Sequence, residues 1–246
     1  MQKIIIVTGG AGFVGSNLIN ILLKKTKLRL ISIDNYSSGG KKNHIKSPRV
    51  KYINADTKNI SKILNPYKKD INSVFHFGEF SRIYQSFLKM NECIESNSIG
   101  THEVFRFCLE NKIKLIYSAT SASLGNNGND KNLSPYAFTK SKNLEMLENL
   151  KKWFNLKFEI IYFYNVYGGR ELRRGKYSTV IGKFKELVAK GATKLPVTTP
   201  GTQCRNFTHI DDITDGVLLA AGNGAGDGYG IGAVESYSII ELCCAF

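Results

Sequence analysis

Apolar runs of strand type alternate with amphipathic stretches of helical period along most of the chain. The runs at 3–8, 29–34, 50–54, 73–77, 113–119 and 157–164 read as strands. Several are nearly continuous in large aliphatic residues, as in Lys3-Ile4-Ile5-Ile6-Val7-Thr8, which marks strands buried on both faces. Between them, 13–25, 58–66, 84–110 and 136–154 read as helices. This alternation predicts an α/β fold with a doubly wound parallel sheet. After Asn165 glycine becomes frequent and the rhythm loosens, so a second, smaller lobe is expected from about 166. The expected division is 1–165 and 166–246, with Gly222 to Gly232 as a set of turns rather than a linker. The final segment from Ser238 to Phe246 reads as the start of an apolar helix that stops abruptly. The second lobe is therefore expected to be incomplete.

Composition changes this picture little. At 246 residues with 42 % apolar content, the chain can bury a sizeable core. No apolar run reaches the length of a membrane span. The first strand begins at once, without a signal-peptide layout. Five cysteines, none in Cys-x-x-Cys spacing, point to reduced thiols in the cytoplasm and to no metal site. The formal charge of +14 raises the question of a nucleic-acid partner. Its lysines are scattered through a chain rich in Lys, Asn and Ile, and form no basic stripe. A solvated cationic surface is the better reading.

The first candidate site is Thr8-Gly9-Gly10-Ala11-Gly12-Phe13-Val14-Gly15, directly after the first strand. Gly9 suits a tight turn, Gly12 lets backbone approach a phosphate, and Gly15 permits close packing of the following helix on the strand. Such a turn holds a dinucleotide pyrophosphate at a helix N-terminus. Asp34, at the end of the second strand, is placed for the ribose hydroxyls and against a 2′-phosphate, so NAD is expected over NADP. This is a Rossmann-type arrangement. Asp56-Thr57 can either reach an adenine edge or cap the helix that follows. His76 ends the fourth strand and reads as a packed core histidine rather than a catalyst.

The second candidate site is Tyr136-Ala137-Phe138-Thr139-Lys140, a phenol and an ammonium on one helix face. An ammonium and an oxidised nicotinamide favour the phenolate, so Tyr136 can take a proton from a substrate hydroxyl while hydride leaves the same carbon. Upstream, Tyr117-Ser118-Ala119-Thr120-Ser121-Ala122 ends a strand at the sheet's C-terminal edge, with Thr120 the preferred hydroxyl partner of the reacting oxygen. In the second lobe, Asn165 stands at a strand tip. Arg205 is either a diphosphate contact or an exposed ion-pair partner.

With these motifs in this order, the chain resembles the extended short-chain dehydrogenases/reductases, in their NAD-dependent nucleotide-sugar epimerase/dehydratase branch. The resemblance runs from Met1 to about Leu242. Besides the motifs above it includes Asp34-Asn35, His76-Phe77-Gly78, Asn97-Ser98-Ile99-Gly100-Thr101, Asn165-Val166-Tyr167-Gly168 and Arg205 to Asp212. It implies that the glycine turn with Phe13 and Val14, together with Asp34, Asn35, Asp56, Thr57, Phe77, Gly78, Asn97, Tyr136 and Lys140, binds NAD. It implies Thr120, Tyr136 and Lys140 as catalytic, and Thr120, Asn165 and Arg205 as holding a nucleotide-sugar substrate. Similar dehydratases carry carboxylates directly after the catalytic hydroxyl, where Ser121 and Ala122 stand here. The resemblance therefore implies a 4-epimerase for a UDP-linked sugar, of the UDP-glucose or UDP-N-acetylglucosamine type. The rivals are another nucleotide-sugar oxidoreductase or dehydratase, and a weakly active NAD-binding protein. A homodimer pairing the helices near 84–110 and 136–154 is also implied, with no membrane and no nucleic-acid partner.

Overall fold

The computed structural model describes residues 3–246, apart from the side chains of Ala122 and of residues 125–128. Its strands are β1 (Ile4–Thr8), β2 (Arg29–Asp34), β3 (Val50–Asn54), β4 (Ile71–His76), β5 (Lys114–Thr120), β6 (Phe158–Phe163), β7 (Val166–Tyr167), β8 (Cys204–Arg205), β9 (Thr208–His209), β10 (Tyr229–Ile231) and β11 (Tyr237–Ser238). Its helices are α1 (Phe13–Lys25), α2 (Ile60–Leu64), α3 (Ile83–Leu88), α4 (Met90–Ile94), α5 (Thr101–Glu110), α6 (Pro135–Phe154), α7 (Val180–Ala189), α8 (Ile210–Asn223) and α9 (Ile239–Cys244). A seven-stranded sheet runs β10-β6-β5-β4-β1-β2-β3, and every neighbouring pair in it is parallel. The chain winds outward from β1 in both directions. The resulting switch point lies between β1 and β4, at the C-terminal edge where ligands bind in open α/β sheets.

Alternation along the strands feeds two cores. Ile4 and Ile6 of β1, with Val74, Leu115 and Tyr117, face a core that includes Ile60, Val104, Phe105 and Leu147 from α2, α5 and α6. Ile5 and Val7, with Leu30, Phe75 and Ile116, face Leu18, Ile19, Ile213 and Val217 from α1 and α8. A sheet covered on both faces requires the near-continuous apolar runs seen in the sequence.

Three elements differ from the sequence expectation. The helix expected over 84–110 is broken at Lys89, whose backbone leaves the helical region (φ −130°, ψ 48°). It resumes as α4, widens into a π-helical segment over Glu95–Gly100, and only then becomes α5. The helix expected over 58–66 keeps α geometry only in α2, between 3-10 turns at Thr57–Asn59 and Asn65–Tyr67. Within the glycine-rich segment, Tyr229–Ile231 joins the main sheet beside β6. Part of the expected second lobe thus completes the sheet, and α8 covers it. The rest includes the separate antiparallel pair β8–β11, with α7 and α9.

Candidate active site

The glycine turn folds back on the end of β4. Gly9 has φ +70°, and a Cβ there would sit 2.5 Å from the Phe77 carbonyl oxygen. A Cβ on Gly15 would lie 2.2 Å from the Gly9 carbonyl oxygen, so α1 can pack this closely only with glycine at both positions. Gly12 caps α1 without a side-chain bond, and the first helical turn carries no acid. Its amide groups are left to face an anion. Asp34 is fixed by its neighbours: Oδ2 accepts from Ala11 N at 2.9 Å and Oδ1 from Tyr36 N at 2.8 Å. Asn35 donates to Asp56 at 3.2 Å, and Asp56 also caps the 3-10 turn through Lys58 N at 3.0 Å. The two readings of Asp56 are thus compatible, because one carboxylate caps the turn and still lines the cleft.

At the other end, Ser134 accepts from Ala137 N at 3.0 Å and Pro135 occupies the first turn, so α6 starts in a fixed place. Tyr136 follows immediately, 8 % exposed, with its backbone N–H held by Ser86 Oγ at 3.2 Å. Its phenol is hydrogen-bonded to the Thr120 hydroxyl at the tip of β5. Burial pushes the phenol up to about 12. The Thr120 bond and the Arg82 guanidinium act against that rise, while the Glu79 carboxylate and the Cys93 thiol add to it.

Lys140 turns downward. Its ammonium forms a buried ion pair with Glu79 and donates to the Ser118 carbonyl at 2.5 Å, 4.7 Å from the Tyr117 ring centre. The other oxygen of Glu79 accepts from Thr101 Oγ1 and Tyr117 Oη, both at 3.0 Å, and from Asn143 Nδ2 at 3.2 Å. Glu79 belongs to no motif identified in the sequence. A lone acid after Phe77-Gly78 reads as a charge pointing into water, although its place in the loop that follows the C-terminal end of β4 was a usable signal. Arg82 was also missed. It donates to the Tyr177 carbonyl at 3.1 and 2.6 Å, tying the segment after β4 to the second lobe.

His76 is fully buried and structural. Its Nδ1 meets Thr8 Oγ1 at 2.7 Å and its Nε2 meets Thr101 Oγ1 at 2.9 Å. Because Thr101 donates to Glu79, it accepts from Nε2–H, and Thr8 then donates to Nδ1. This chain needs a neutral ring, and burial lowers the His76 pKa to about 4.

A single cleft of about 790 Å³ collects these features. It is lined by every residue the sequence singled out for NAD, catalysis or substrate except Asn97. The Asn97 side chain faces the scaffold instead. It is fully buried in the π-helical segment, where Oδ1 accepts from Phe80 N at 2.7 Å and Nδ2 donates to Phe80 O at 3.0 Å and Thr139 Oγ1 at 3.2 Å. It braces the loop after β4 against α6 from beneath. Asn165 (φ +32°), just after β6, and Arg205 of β8 line the cleft, both exposed. Among the described residues no cluster of His, Cys, Asp or Glu could hold a metal ion.

The family model for NAD-dependent epimerases/dehydratases matches residues 5–232, almost the whole chain. The chain belongs to that family. A curated relative from Methanocaldococcus jannaschii named "Putative UDP-glucose 4-epimerase" is 26 % identical over 250 residues, covering 97 % of this chain and 79 % of the relative. Among solved structures, the UDP-N-acetylglucosamine 4-epimerase of Methanobrevibacter ruminantium, in complex with UDP-N-acetylmuramic acid, is 27 % identical with a TM-score of 0.88. That match covers 98 % of this chain and 80 % of that one. The Bordetella bronchiseptica enzyme WbmF with NAD+ is also 27 % identical with a TM-score of 0.88, over 99 % and 77 % of the two chains. The cofactor of this epimerase/dehydratase fold is NAD. The close-packed glycines, the uncapped start of α1 and the fixed Asp34 carboxylate fit it.

Proposed function

We propose that this member of the family is a nucleotide-sugar 4-epimerase acting on a UDP-linked sugar. The observation that carries the reading is the Tyr136–Thr120 pair at the inner end of the NAD cleft, with a serine rather than a carboxylate directly after Thr120. NAD supplies a hydride acceptor and donor. Tyr136 removes the proton from the sugar 4-hydroxyl and later returns it, with Thr120 holding the same oxygen. Lys140, paired with Glu79, fixes the base of the cleft and would lie on the cofactor's side of Tyr136. Asn165 and Arg205 enter from the side where a diphosphate would lie. Arg205 donates to the Cys204 carbonyl at 2.7 Å and keeps further N–H groups for an anion.

Dehydration needs a general base for a carbon-bound proton. Glu79 is the acid nearest this machinery, but its side chain is 2 % exposed and both oxygens are engaged by Lys140, Thr101, Tyr117 and Asn143. That environment supports epimerisation over dehydration.

The reading extends to assembly. Tyr84, Phe87 and Leu88 of α3 and Met90 of α4 are large, apolar and more than half exposed, and Phe138 of α6 is half exposed. This face supports a homodimer formed through α3, α4 and α6. No helix among the described residues is long and apolar enough to cross a membrane. The free cysteines support a reducing, cytoplasmic setting. The test is to incubate the NAD-loaded protein separately with UDP-glucose and UDP-N-acetylglucosamine and identify products by NMR. Inversion at C4 of either sugar supports the reading, and loss of water from the sugar contradicts it.

A further inference from the structure

Glu79 is the one strongly buried acid in the cleft wall that the proposed mechanism does not consume. It is held from four sides. Lys140 reaches it from α6, Tyr117 from β5, Thr101 from α5, and Asn143 from the next turn of α6. His76 of β4 reaches it through Thr101, its neutral ring closing a chain of bonds that begins at the Phe77 and Gly78 amides on Thr8 Oγ1, at 3.2 and 3.1 Å.

The ammonium that binds Glu79 stands one helical turn after Tyr136. In Lys140 that charge is drawn down to Glu79 and to the Ser118 carbonyl. The groups whose charge acts on the phenol are Glu79 from the loop after β4, Arg82 from the same loop, and Cys93 from α4. The cation opposing Glu79 at the phenol is thus Arg82, which Tyr177 ties to the second lobe. Lys140 and Glu79 form a buried, internally neutral pair with side chains 5 % and 2 % exposed.

We propose that Glu79 is a positioning residue of the proton-transfer machinery: it anchors the Lys140 ammonium beneath the cleft and sets its own negative charge against ionisation of the Tyr136 hydroxyl. The inference rests on Tyr136 as the proton-transfer group. Its consequence is that Glu79 raises the pH at which Tyr136 ionises, while the pair contributes no net positive charge. Cancelling the carboxylate alone leaves a net positive site and releases the ammonium.

The experiment is an ultraviolet difference titration of the Tyr136 phenol in the NAD-loaded protein. The tyrosine is isolated by subtracting the titration of the matching Tyr136→Phe protein. Glu79→Gln keeps the shape of the side chain and removes its charge. The expected result is a fall in the ionisation pH of Tyr136 by about one unit, tenfold in its ionisation constant, the scale of one charge removed at this range. A purely structural Glu79 would leave that pH where it is, and an unchanged or raised value overturns the proposal.

Glu79→Gln alone strands the Lys140 ammonium, so the change is also made in a Lys140→Met background, where both partners are neutral. There the carboxylate's own field remains to be removed, and a fall of about one unit is again expected relative to Lys140→Met alone. Equal ionisation in those two proteins overturns the proposal even if the single variant does not fold. The titration uses no sugar, so a failure of the epimerase reading shows itself separately, as NAD-loaded protein that leaves both UDP-sugars unchanged.

Discussion

Removing the Lys140 ammonium tests the energetics of the cleft floor without any knowledge of the substrate. In Lys140→Met the Glu79 carboxylate keeps its bonds from Thr101, Tyr117 and Asn143 but loses its paired ammonium. Both side chains lie almost wholly out of water, so solvent screens little of the change. Breaking a buried pair by deleting one partner typically costs about 3–5 kcal/mol, because an uncompensated charge remains. Three neutral donors, each contributing roughly 1.5–3 kcal/mol to a charged acceptor, keep Glu79 toward the lower end of that range. We therefore expect a loss of about 3 kcal/mol, which for a chain of this size lowers the melting midpoint by roughly 6–12 °C. The assay is thermal unfolding by circular dichroism of the parent, Lys140→Met, Glu79→Gln and the double variant. The double variant removes both charges and is expected to recover at least about 1 kcal/mol relative to the sum of the single variants. Additive losses, or a Lys140→Met protein within about 0.5 kcal/mol of the parent, would refute the coupled buried pair.

Three further outcomes follow from the same geometry. Tyr136→Phe keeps the ring and removes only the hydroxyl, so turnover should fall roughly 10²–10⁴-fold with NAD still bound by calorimetry; activity within a few-fold of the parent removes Tyr136 from the mechanism. The Asp34 carboxylate at the ribose end of the cleft should make NAD bind more tightly than NADP, and equal affinities would show that nearby cations such as Lys41 and Lys42 override it. His76 carries a folded pKa of about 4 against an unfolded value near 6.5, so the unfolded state takes up a proton first as pH falls. Stability should therefore drop between about pH 6.5 and 4 by up to roughly 3 kcal/mol, and urea unfolding of His76→Gln should show a shallower slope in that window.

Much of the fold was legible because a sheet covered on both faces imprints apolar runs, most clearly in β1, β5 and β6. Tyr229–Ile231 escaped notice because a three-residue edge strand between glycines has too little pattern to separate it from turns. The break at Lys89 and the π-helical segment were equally hidden, since each segment keeps helical composition while tertiary contacts at Asn97 and Gly100 set its geometry. A Cβ on Gly100 would lie 2.3 Å from Thr57 Oγ1, a constraint visible only once the two elements meet. In the cleft, residues in spaced motifs were readable: the glycine turn, Asp34, Thr120, Tyr136 and Lys140 all line one cavity. Glu79 and Arg82 were not, because a lone charged residue in a loop becomes informative only through the partners that bury it. Asn97 shows the reverse case, a motif residue whose side chain serves the scaffold under the cleft.

The most direct test of the account follows one hydrogen. If Tyr136 exchanges only the proton on the sugar 4-oxygen, hydride leaves C4 and returns to C4 without meeting water. The reaction is run on UDP-glucose and UDP-N-acetylglucosamine in D₂O with the NAD-loaded protein, and the sugar carbons are followed by NMR. The account predicts inversion at C4 with no deuterium on any carbon. Deuterium at C3, C5 or C6 would contradict it, because a base acting on a carbon-bound proton would then be at work in the cleft.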